Sequence, residues 1–137
     1  MYSIRQLLAP RLTAHAHCDI PCGIYDPAAA KTAADTVAKM VEKLATFQGG
    51  DDANRNNYIR SIQVKEEHAQ LCKKELLILW TDYFKPEHLA KYPNLHETFW
   101  KAAKLCSKNK QSVDAKAAAD LVAAVKEIGE IFWATKK

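Results

Sequence analysis

From Tyr58 to Tyr83 the chain carries a seam: Tyr58, Ile62, Lys65, Ala69, Cys72, Leu76, Leu79 and Tyr83 fall alternately four and three residues apart. That spacing draws one stripe along a helix, and the stripe needs partners to cover it. It predicts a helix from about 53 to 80 inside a bundle. Cys72 lies on the seam and is read as a small core side chain. Lys65 interrupts the seam and is expected to snorkel, its stem along the stripe and its ammonium in water.

Three more segments have helical stripes. Asp26-Pro27 reads as a cap followed by proline at a first helical position, opening a helix to about residue 47. Its stripe is Ala30, Ala33, Val37, Met40, Val41, Leu44 and Phe47, and Gly49-Gly50-Asp51-Asp52 ends it in a turn. Pro86 and Pro93 predict a short turn and then a helix from about 93 to 107 with Leu95, Phe99, Ala102 and Cys106 inward. Cys106 is read as core, like Cys72, and residues 107–114 as a polar loop. Asp114 caps a last helix to about 133, with Leu121, Ala124, Val125, Ile128, Ile131 and Phe132 buried and Gly129 a weak point. No strand-period alternation and no internal repeat occurs. The expected fold is all-α, an antiparallel up-and-down four-helix bundle.

At 137 residues, 48% hydrophobic, the chain suits one domain with a core that needs no disulfide staples. No apolar run reaches membrane-spanning length. The net charge of +4 is spread among matched acids, with no basic cluster interleaved with aromatics, so neither nucleic acid nor membrane is an expected partner.

The chemistry concentrates before the first helix. His17-Cys18-Asp19-Ile20-Pro21-Cys22-Gly23 packs an imidazole, two thiols and two turn formers into seven residues, with Tyr25 three beyond Cys22. Thiolates are soft donors, and a C-x3-C turn can bring both onto one cation. Two nitrogens are latent: the backbone amide of Cys18 and, if the Ala16–His17 bond is cut, the α-amine of His17. Amine, amidate and two thiolates make a square plane suited to Ni(II) or Cu(II), with the His17 ring as a fifth ligand. Structural zinc usually takes two C-x2–4-C halves, and only one is present. Spacing alone leaves a metal site even with a disulfide or two unliganded thiols. Residues 1–16 carry Arg5 and Arg11 around a short apolar stretch broken by Pro10. They read as a transit peptide, a pro-segment or a frayed terminus better than as a secretory signal.

The stretch HCDIPCGIYDP, residues 17–27, resembles the metal-binding hook of the nickel superoxide dismutases. LWTDYFKP at 79–86, KYPNLH at 91–96 and IFWATKK at 131–137 resemble the same family in the same order. The resemblance spans essentially all of residues 17–137 and implies a leader, 1–16, removed by a maturation protease to leave a domain whose hook is 17–25. It implies nickel held by His17 (α-amine and imidazole), Cys18 (amide nitrogen and thiolate) and Cys22 (thiolate). The activity it implies is disproportionation of superoxide by a Ni(II)/Ni(III) couple, in a homohexamer. The alternative is a non-catalytic nickel or copper protein built on the same hook; a further one is a helical interaction module with a disulfide-bonded loop.

Tyr25 is implied to sit over the open face of the metal, with Tyr83 beside it, Asp19 supporting the loop and Lys85 adding positive charge. The family places a glutamate and an arginine around the axial imidazole, where this chain has Ala33 and His68. His68 can hydrogen-bond in place of the arginine; Ala33 cannot replace the carboxylate. His15, His88 and His96 are read as surface or capping residues. The expected compartment is the cytoplasm, with an organelle or export open if the leader also targets.

Overall fold

The computed structural model describes residues 23–136. Those residues form α1 (Ala28–Ala45), α2 (Asp52–Ile78), a π-helical turn (Leu79–Tyr83), a short α3 (Pro86–Lys91), α4 (Leu95–Gln111) and α5 (Ala115–Thr135). Helix α1 packs on α2 and α5, and α4 packs on the same two, so the four long helices close a square around one core. The expected all-α bundle is the architecture found.

Three of the long helices start on an aspartate. The Asp26 carboxylate accepts from the Ala28 N–H at 2.7 Å, while the Pro27 carbonyl takes the Lys31 N–H. Asp51 accepts from Asn54 N–H at 2.9 Å, and Asp114 from Ala117 N–H at 3.0 Å. Donors orphaned at a helix N-terminus are thereby satisfied. Gly49 and Gly50 make the turn between α1 and α2 at φ +75° and +125°, a backbone that glycine adopts without strain.

The Ala117 N–H, and Lys108 at 3.0 Å, hold the Asp114 carboxyl below its usual range. A depressed folded pKa contributes stability that is present above the unfolded value and lost as pH falls through the folded one. Asp114→Ala should therefore lower Tm at neutral pH and shrink the difference from the parent in acid. A thermal melt series across pH checks this; an equal deficit at all pH values would refute it.

The core holds Ala30, Val37, Cys72, Leu76, Leu79, Phe99, Cys106, Leu121, Ile128 and Phe132, all nearly or fully buried. The seam is buried from Lys65 to Leu79, whereas Tyr58 is exposed and closes the far end by an edge contact with Phe47 at 5.8 Å.

Two expectations are corrected. Lys65 does not snorkel: it is 1% exposed, and its ammonium donates to the carbonyls of Asn109, Lys110 (3.3 Å) and Ser112 (3.0 Å). These are carbonyls that the end of α4 cannot bond within the helix, at the negative pole of its dipole. Nor is 107–114 a loop throughout, because α4 runs on to Gln111. Asn109 is fully buried there and donates to Leu105 O and Ala117 O, tying α4 to the start of α5.

Candidate metal centre

The π-helical turn sets the site. Phe84 N–H bonds to Leu79 O at 3.1 Å, an i→i+5 step that widens the end of α2 and carries Tyr83 toward the end of α5. Such single wide turns recur at functional positions. The Tyr83 ring is packed by Phe132 at 4.4 Å, Phe84 at 4.9 Å and Tyr25 at 5.6 Å, and stacks on His88 at 5.8 Å. His88 also caps α3 by accepting from the Lys85 N–H at 3.0 Å, in keeping with the capping role expected of it.

Tyr25, Tyr83 and Lys85, singled out from the sequence, line one open cavity of about 470 Å³, together with Gly23, Glu87 and Lys136. Gly23, at φ +72°, is where the hook reaches the described chain. His17, Cys18, Asp19 and Cys22, like His15 and the leader, lie outside the described residues.

Other candidates are not brought together. Ala33 is buried in the core of α1, and His68 is half-buried on α2 with its Nδ1 facing its own helix at Val64 O, 2.9 Å away. Neither lines the cavity. His96 is exposed and accepts from the Trp80 indole N–H at 2.8 Å.

Two residues of the last turn were missed. The Lys136 ammonium donates to the Tyr25 carbonyl at 2.8 Å and lies 5.1 Å from the Phe132 ring centre. Thr135 Oγ1 lies 3.0 Å from the Tyr83 hydroxyl and donates its own proton to Phe132 O at 2.8 Å. With that proton committed, the phenol is the donor in the Tyr83–Thr135 pair, which leaves the Tyr83 oxygen an acceptor toward the cavity. Only the segment IFWATKK hinted at these residues; nothing in their spacing did.

Comparison with known proteins bears on what such a site serves. Residues 12–136 match the family model described as nickel-containing superoxide dismutase. Proteins named superoxide dismutase [Ni] from Streptomyces coelicolor and Streptomyces seoulensis are each 41% identical over 134 residues, covering 98% of this chain and 98% of theirs. A solved native nickel superoxide dismutase is 40% identical with a TM-score of 0.78, covering 88% of this chain and 100% of that one. A solved apo form is 37% identical with a TM-score of 0.74, covering 83% and 98%.

Proposed function

This chain belongs to the nickel-containing superoxide dismutase family, and from that membership we propose that its nickel is held by His17, Cys18 and Cys22 after the chain is cut before His17. The enzyme disproportionates superoxide to dioxygen and hydrogen peroxide with nickel as its cofactor. The single observation that carries the assignment of the site is the cavity at the root of the hook, where Tyr25 and Tyr83 meet.

The donor chemistry fits nickel. The thiolates of Cys18 and Cys22, the Cys18 amidate and the amine and imidazole of His17 would hold the ion, a soft sulfur and nitrogen set that suits nickel. Among the described residues no group of three or more His, Cys, Asp or Glu could hold a metal. Nickel supplies the one-electron couple between Ni(II) and Ni(III), brought into range by electron-rich sulfur and amidate donors.

The chain's own residues do the rest. Lys136 grips the Tyr25 carbonyl, fixing the backbone from which the hook extends. Aromatic rings wall the cavity from the core, so that approach is from its open mouth. Lys85 and Lys136 are matched at that mouth by Asp82 and Glu87, so the pull on an anion comes from the chain's net charge of +4 rather than from the cavity lining. Tyr83, its proton donated to Thr135, orients a hydrogen-bond donor in the cavity, and Tyr25 is the hydroxyl we assign to face the reacting oxygen. Asp19 is assigned to brace the loop. His68, turned toward its own helix, and Ala33 give the His17 ring no carboxylate–guanidinium pair, so its orientation falls to the hook backbone.

Lys136→Met should lower the dismutation rate constant about tenfold by loosening Tyr25, while Tm barely moves because the side chain is exposed. Lys136→Arg should restore most of the rate. An unchanged rate in Lys136→Met would remove this role.

Removal of residues 1–16 is required by the ligand set, because only a chain that begins at His17 offers a free α-amine there. A maturation protease is then a required partner. We also assign a homohexamer in the cytoplasm. Trp100, Trp133 and Ile59, each more than half exposed, supply apolar surface for association, and the unpaired thiols Cys72 and Cys106 suit a reducing compartment.

Mass spectrometry of the protein from its native cell tests the site. A mature chain beginning at His17 with one nickel per subunit is expected. A start at Met1 in active enzyme, or zinc in place of nickel, would overturn the proposal.

A further inference from the structure

We propose that Cys72 and Cys106 form a second redox site: a dithiol in the bundle core that hydrogen peroxide closes to an intramolecular disulfide joining α2 to α4. Sequence reading treats each cysteine alone as a small apolar filler. The fold makes them a pair. Both are fully buried in the same core. Helices α2 and α4 run antiparallel and are bridged at the surface by Lys73 Nζ to Ser107 Oγ at 3.1 Å and by Lys110 Nζ to Gln70 Oε1 at 2.9 Å. Cys72 and Cys106 each lie one residue from the Lys73–Ser107 bridge, so the two thiols face each other beneath it. Ala69 and Ala102, one turn away on each helix and fully buried, let the backbones approach.

The two thiols are not equivalent. The closeness of the two thiols, with burial and the Glu75 carboxylate, pushes the Cys72 thiol up, while the same closeness and the Lys73 ammonium pull the Cys106 thiol down. With the Lys73 ammonium held beside it on Ser107, Cys106 is the nucleophile and Cys72 the resolving thiol. The Cys106 thiolate attacks one oxygen of hydrogen peroxide. The O–O bond breaks, Cys106 becomes a sulfenic acid and hydroxide leaves. Cys72 sulfur then attacks the sulfenic sulfur; the S–O bond breaks, and the Cys72 proton and the one Cys106 gave up leave with the oxygens. Two thiols and one peroxide become one disulfide and two waters.

The oxidant is the enzyme's own product. Cys72 lies eleven residues before Tyr83, roughly 16 Å down the helix from the cavity. A small uncharged oxidant can reach a fully buried pair that bulky thiol reagents cannot. In a reducing compartment such a disulfide is transient, forming only when peroxide accumulates. The bridge would close a loop from α2 to α4 and raise resistance to unfolding.

The test uses nickel-loaded, His17-initiated protein exposed to hydrogen peroxide directly, so its outcome does not depend on turnover. The sample is quenched in acid, alkylated unfolded and digested. Expected are a Cys72–Cys106 linked peptide, distinct from any Cys18–Cys22 product, its loss with dithiothreitol, and a Tm rise of roughly 10 °C. Cys72→Ser should stop the reaction at oxidised Cys106 with no Tm rise, while leaving dismutation unchanged when catalase is present. Full alkylation of both thiols after peroxide would overturn the proposal, as would Cys106 carried to sulfinic acid in the parent without any link. The peptide map of the parent decides even if Cys72→Ser fails to fold.

Discussion

Protein that still begins at Met1 will be essentially inactive in dismutation, even with nickel present in excess. In the uncut chain the His17 nitrogen sits in a peptide bond to Ala16. Its lone pair is delocalised into the carbonyl, so it is no longer an amine donor. The Cys18 amidate, the two thiolates and the imidazole cannot then close the same plane. Altering even the groups that orient a metal ligand costs about 10–100-fold, and loss of a ligand should cost at least about 100-fold. The fold should not notice. Residues 28–135 carry the bundle, and its buried residues are drawn from the helices. Full-length and His17-initiated protein should give matching circular dichroism and Tm. They should differ in nickel stoichiometry and in the rate of superoxide decay followed by pulse radiolysis. Equal rates would remove the free amine from the mechanism.

The amine could be argued from sequence because its chemistry is local: His, Cys, Pro, Cys and Gly stand within seven residues. The bundle was legible for a similar reason. Stripes such as Ala69, Cys72, Leu76 and Leu79 are statements about one helix, and burial follows once a partner exists. What stayed hidden depends on residues distant in the chain. Lys136 gains meaning from the Tyr25 carbonyl 111 residues away. Backbone acceptors leave no mark in a sequence, since every residue has one. Cys72 and Cys106 were each legible as core, but their pairing required the register of α2 on α4. The polar run 107–111 looked like a loop because its lysines face solvent, while Asn109, on the other side, faces the core. His68 was placed near the His17 ring by alignment with the family pattern. The structure turns it to Val64 O, a bond within its own helix that competes with any role toward the hook.

Replacing Lys65 by methionine should cost about 3 kcal/mol of stability, a fall in Tm of roughly 10 °C. The expectation runs against hydrophobic bookkeeping, since methionine fills a similar volume and removes a buried charge. The deciding terms are the acceptors. The ammonium's three protons meet three carbonyls, of Asn109, Lys110 and Ser112, at the end of α4. Burial pulls the Lys65 pKa below the usual lysine value, yet the carbonyls and the helix dipole favour the charged form. Methionine leaves the buried Asn109 carbonyl and the part-buried carbonyls of Lys110 and Ser112 without this donor, and a buried acceptor so abandoned costs about 1–3 kcal/mol. Lys74→Met, on the exposed side of the same helix, should shift Tm by no more than about 2 °C. Hydrogen exchange adds a local signature: amides near the end of α4 should lose protection first, ahead of those in α1. If Lys65→Met melts with the parent and keeps that protection, the lysine is a passenger in the core and the end of α4 is held by Asn109 alone.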